Sequence, residues 1–140
     1  MRYFDTSVVV SLYVSEPRSS RATAEVAKDP ADIVVSPWVT LEIKSAVALS
    51  VRQDKLSRQA AQQVLDDYEL DRAQGKYIEI GIIADHFLLG QRALTFDNGL
   101  RAGDALHLGI VQFEGLTLVS ADETQCRVAN LMGVSTVHIP

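Results

Sequence analysis

Leu116-Thr117-Leu118-Val119-Ser120-Ala121-Asp122 holds the clearest strand in this chain, and it runs out into a carboxylate. A brief aliphatic run of this kind reads as a strand buried inside a sheet. The chain opens in the same way: Arg2-Tyr3-Phe4 leads straight into Asp5, with Thr6 and Ser7 behind it. An aspartate at a strand end is ordinarily a turn former or helix cap, so neither acid marks a site alone. Two of them at two strand ends raise the question of whether other acids reach the same place.

Between these runs, strand and helix patterns alternate. Strands are expected at 2–5, 33–36, 77–80, 116–119 and 134–139, and helices at 7–15, 18–28, 38–53, 57–74, 82–94, 102–114 and 123–132. The punctuation agrees, with Ser7 and Ser57 as caps, Pro17 and Pro37 near helix starts, and Gly75 and Gly133 as stops. Short apolar strands alternating with helices imply an α/β fold, a central, mostly parallel β-sheet with helices on both faces. With 140 residues and no repeat or linker-like stretch, one domain over 1–140 is expected.

Composition narrows the class. The single cysteine, Cys126, has no disulfide partner and no Cys/His cluster has zinc spacing, which points to a reducing, cytoplasmic setting. No apolar run approaches membrane-spanning length. A net charge of −5 argues against nucleic-acid binding by overall attraction, but leaves room for local contacts from Arg18, Arg21, Lys44, Arg52 or Arg101.

Two further acids fall on unexpected helix faces. At about 100° per residue, Glu42 shares a face with Trp38, Ser45, Ala46 and Leu49, which reads as the apolar side of its helix. Asp104 lines up with Leu108 and Val111. An inward carboxylate needs a cation, a metal or a wet cleft. A salt bridge to arginine is the plain explanation for Glu42, and a first-turn acid favoured by the helix dipole is the plain one for Asp104. His107 could join the site or make a routine hydrogen bond. Asp85 and Asp97 could be extra site acids with His86 beside them, but Asp85 lies early in its helix and Asp97 in a turn, so both read as structural.

If Asp5, Glu42, Asp104 and Asp122 converge, their mutual repulsion is relieved by a divalent cation. All-oxygen ligands favour Mg²⁺ or Mn²⁺ over zinc. The chemistry that follows is metal-assisted phosphodiester hydrolysis.

The residues carrying these acids, Phe4-Asp5-Thr6-Ser7, Thr40-Leu41-Glu42-Ile43, Leu100 to Leu108 around Asp104-Ala105-Leu106-His107, and Leu118-Val119-Ser120-Ala121-Asp122, together resemble a PIN-domain ribonuclease of the VapC toxin type. That resemblance covers essentially the whole chain. It implies an Mg²⁺- or Mn²⁺-dependent endoribonuclease acting on tRNA, ribosomal RNA or messenger RNA. Asp5, Glu42, Asp104 and Asp122 would be its metal-binding acids, with Ser120 supporting the site and Thr6 beside the first acid. It further implies a homodimer and a small VapB-like antitoxin, received in a groove beside the helices that begin near 8 and 18. A free-standing PIN nuclease of RNA processing or decay is the nearest alternative. A phospho-acceptor receiver domain fits poorly, because Thr6 and Ser7 stand where a paired acid would be and Val35-Ser36 offers no acceptor. In a non-catalytic binding module, the acids would only make salt bridges.

Overall fold

In the computed structural model, which describes residues 1–140, five strands form one parallel sheet: β1 (Arg2–Phe4), β2 (Ile33–Val35), β3 (Ile78–Glu79), β4 (Thr117–Ser120) and β5 (Thr136–His138). Their order is β3-β2-β1-β4-β5, and every neighbouring pair is parallel. The chain therefore winds outward from β1 to β3, returns beside β1 as β4, and winds outward again. The reversal falls between β1 and β4, where an open α/β sheet presents its ligand crevice.

The central strands are apolar on both faces, with Tyr3, Phe4, Ile33, Val34, Val35, Leu118 and Val119 all fully buried. This is the pattern of a parallel sheet covered on both sides. The edge strand β3 has two residues, both exposed, fewer than its sequence suggests.

Seven helices surround the sheet: α1 (Thr6–Val10), α2 (Ser19–Lys28), α3 (Pro37–Arg52), α4 (Arg58–Ala73), α5 (Ala84–Ala93), α6 (Ala102–Glu114) and α7 (Glu123–Leu131). Ser57 caps α4 as expected, its hydroxyl accepting from the Ala60 amide. Helix α1 departs from expectation in two ways. It is five residues long rather than reaching Ser15, since three consecutive β-branched valines propagate a helix poorly. Its cap is Asp5 and not Ser7, because the Asp5 carboxylate accepts from the Val8 amide.

Helices α5 and α6 cross at very close range, made possible by glycines at the contact. A Cβ on Gly109 would lie 2.0 Å from the His86 carbonyl oxygen, and one on Gly90 would lie 2.8 Å from that of Ala105. No helix is long and apolar enough to cross a membrane.

Candidate active site

Asp5 follows β1 and Asp122 follows β4, so the parallel register of these neighbours delivers both aspartates to the carboxyl edge at the switch point. There the cleft, about 360 Å³, is lined by Asp5, Glu42, Asp104 and Asp122, all four acids singled out in the sequence. Asp85 and Asp97 are exposed and do not line it, and His86 lies inside the α5–α6 contact.

Asp5 is the most enclosed of the four, with 4% exposure. Its Oδ1 accepts from the Ser7 hydroxyl at 2.6 Å and the Val8 amide at 3.2 Å, while Oδ2 receives the Ser120 hydroxyl at 2.5 Å. Burial pushes its pKa up; the charge of His107 and the bonds from Ser120, Ser7 and Val8 pull it back only in part. Ser120 is fully buried and held in turn: its oxygen accepts from the Asp122 amide at 3.0 Å and lies 2.8 Å from Gln125 Oε1. One hydroxyl proton is thus shared between the Asp5 and Gln125 oxygens.

Glu42 Oε2 accepts from Thr6 Oγ1 at 2.5 Å and lies 2.6 Å from His107 Nε2. Burial would raise this carboxyl, but the hydrogen bond and charge of His107, with the Thr6 bond, bring it below the usual range. His107 Nδ1 lies 2.8 Å from the Tyr3 hydroxyl, itself 2.8 Å from Ser36 Oγ. Burial also pushes the Tyr3 phenol up, so it stays protonated as the link of this chain.

Glu42 does not lie on the core face of its helix, contrary to what the helical spacing suggests. The core face of α3 is Val39, Ile43 and Val47; Ser45, Ala46 and Leu49 share with Glu42 the face that lines the cleft. The partner of Glu42 is a histidine, not an arginine.

Asp104 sits in the first turn of α6, where its Oδ2 accepts from the Arg101 amide at 3.3 Å. Asp122 caps α7, its Oδ1 accepting from the Gln125 amide at 2.9 Å. The plain explanations therefore hold for both, and both still face the cleft. Glu42, Asp104 and Asp122 are each anchored through one oxygen, while Glu42 Oε1, Asp104 Oδ1 and Asp122 Oδ2 have no hydrogen-bond partner in the protein. Four carboxylates face one guanidinium, that of Arg101. No three His, Cys, Asp or Glu side chains are drawn close enough to hold one ion between them as they stand.

Gln125 and the Tyr3–His107 link escaped sequence reasoning. Gln125 carried a signal, three residues after a capping Asp, although its side chain turns to Ser120 rather than back to the cap. Tyr3 carried none, since a buried strand tyrosine is ordinary core.

A doubly wound domain with an acid-walled cleft at its switch point is the class these features define. The chain belongs to the PIN domain family, whose sequence model matches residues 2–131. It is similar in fold to FitAcB from Neisseria gonorrhoeae, with a TM-score of 0.75 at 16% identity over 99% of this chain and 97% of that one. It is likewise similar to Mycobacterium tuberculosis VapC20, a sarcin-ricin loop cleaving toxin, with a TM-score of 0.70 at 17% identity over 98% of each chain. VapBC2 from Rickettsia felis, bound to a fragment of its promoter DNA, gives 0.65 at 20% identity over 100% of each. No curated protein matches the sequence.

Proposed function

We propose that this protein is a Mg²⁺- or Mn²⁺-dependent endoribonuclease, the toxin of a VapBC-type toxin–antitoxin pair, hydrolysing phosphodiester bonds in RNA. The observation that carries this reading is the cleft itself: four carboxylates from four elements, three of them offering an unengaged oxygen to a space with one guanidinium. An all-oxygen donor set of this kind suits a hard divalent ion. Asp5, Glu42, Asp104 and Asp122 would hold it, and when bound it would supply an activated water and offset the charge on the phosphate.

The chain's own residues provide the positioning. Ser7, Ser120 and the Val8 amide fix the Asp5 carboxylate, and Gln125 fixes Ser120. Thr6 and His107 pin one Glu42 oxygen, leaving the other toward the cleft, and Tyr3 with Ser36 holds the imidazole in place. The RNA substrate and antitoxin partner draw support from relatives of the same fold, namely VapC20 and a toxin-antitoxin complex from Klebsiella pneumoniae. Exposed Phe87, Leu94 and Phe96 give apolar surface for a homodimer.

The test is RNA cleavage by the purified chain with Mn²⁺ and with chelator. Cleavage should require the metal, and Asp104→Asn should reduce it about 100-fold or more while the fold persists. A fully active Asp104→Asn protein would overturn the assignment.

A further inference from the structure

The cleft does not end at the carboxylates. It continues along α3 past Ser45 and Ala46 to Leu49, seven residues beyond Glu42 and so about 10 Å away at the helical rise. This arm has a different chemistry from the acid end. Its α3 wall is small and uncharged, Leu49 is 44% exposed, and Arg101 is the only lysine or arginine lining the same cleft.

Arg101 is free to act there. Its side chain is 88% exposed, and its nearest acid contact is Nε to Asp104 Oδ2 at 3.9 Å, which leaves both terminal nitrogens open. The hydrogen bond that Arg101 makes at the start of α6 comes from its backbone amide rather than from its guanidinium. A ligand brought to four carboxylates by a metal still carries phosphates that the bare acids repel. A guanidinium at the lip answers that charge with paired donors.

We infer that the part of the cleft lined by Arg101 and the Ser45–Ala46–Leu49 face is a subsite for the nucleotide adjoining the scissile phosphate. Arg101 binds that nucleotide's phosphate, and Ala46 with Leu49 packs against its sugar or base. This rests on the nuclease reading and adds a substrate-contact residue to it.

Binding is measured on the chain with Asp5 intact, with Ca²⁺ in place of Mn²⁺ so that an oxygen-seeking divalent ion is held while cleavage is suppressed, using a fluorescent pool of short single-stranded RNA across a salt series. Arg101→Ala should weaken binding about 10-fold and flatten the slope of log affinity against log salt by about one. Arg101→Lys should recover part of the affinity, and Leu49→Ala should weaken binding about 3-fold without changing the slope. Arg52→Ala, which removes the same charge from a groove on another face of α3, is the control and should stay within about 2-fold. If Arg101→Ala behaves like Arg52→Ala, the subsite is refuted. Cleavage by the unmutated chain with Mn²⁺ is run alongside: its absence refutes the nuclease reading, whereas its presence with an unremarkable Arg101→Ala refutes only the subsite.

Discussion

Two buried histidines in this protein each meet a glutamate, and only one pair lines the cleft. His86 on α5 is fully buried; its Nδ1 accepts from the Ile83 amide at 3.2 Å, so its Nε2 carries the proton and donates to Glu114 at 3.0 Å. His107 on α6 is 2% exposed and lies 2.6 Å from Glu42. The first pair closes the start of α5 against the end of α6, and its carboxylate faces solvent on the outside of the molecule. The second pair spans α3 and α6, and the spare oxygen of its carboxylate faces a cleft with three more acids. A His–Glu contact is thus no evidence of function by itself. What the remaining carboxylate oxygen faces makes the difference.

The sharpest way to break the first region is Gly109→Ala. Its Cβ would meet backbone at 2.0 Å, with no side chain able to yield, so a loss of about 3 kcal/mol or more is expected in chemical denaturation, with activity lost alongside. His86→Leu should also act through folding alone, lowering stability by about 1–3 kcal/mol by orphaning the Ile83 amide, while the properly folded fraction keeps its specific activity. His107→Leu should separate the regions. It too lowers stability by about 1–3 kcal/mol, but kcat should fall a further 10- to 100-fold or about that in the folded protein, because Glu42 loses a bond that orients it. Equal specific activity in the two leucine variants would erase the distinction.

The smallest effect belongs to Gly103→Ala. A Cβ there would sit 3.0 Å from Glu42 Oε1 and 3.3 Å from Trp38, pressing on the free oxygen rather than on backbone. Stability should stay within about 0.5 kcal/mol, because alanine suits a helix, while cleavage falls less than about 10-fold.

Much of this arrangement was legible in the chain. Strand ends at Asp5 and Asp122 followed from apolar runs stopping on acids, and the parallel sheet followed from alternation with helices. The details that failed were matters of competition between neighbouring groups. Thr6, Ser7 and Asp5 could each have started α1, and only the folded geometry shows the carboxylate capping it while Ser7 turns back to the carboxylate. Glu42 pointed to the right place for an incomplete reason. Its face is the cleft face, and the core stripe lies a third of a turn away at Val39, Ile43 and Val47, a distinction helical spacing alone does not draw when both stripes contain apolar residues. The Tyr3–His107 link joins positions 104 residues apart, and no local pattern encodes such a pairing.

At Asp5 the stability of the fold and the proposed metal site meet, and one experiment reads both. Burial raises its pKa in the fold, so the ionised carboxylate opposes folding, and the stability its protonated form provides is lost as pH rises through that folded value. Asn at this position would be neutral, and its amide could donate to Ser120 Oγ, freeing the serine proton for Gln125. The decisive measurement is the Tm of the unmutated and Asp5→Asn proteins at pH 7 with and without Mn²⁺. Without metal the variant should melt higher, by about 1 kcal/mol of added stability, the gap closing toward acid pH. With Mn²⁺ at about 100 times its Kd, the unmutated protein should gain about 2.7 kcal/mol and the variant far less. An equal Mn²⁺ shift in both proteins would contradict Asp5 as the central ligand of a metal-dependent site.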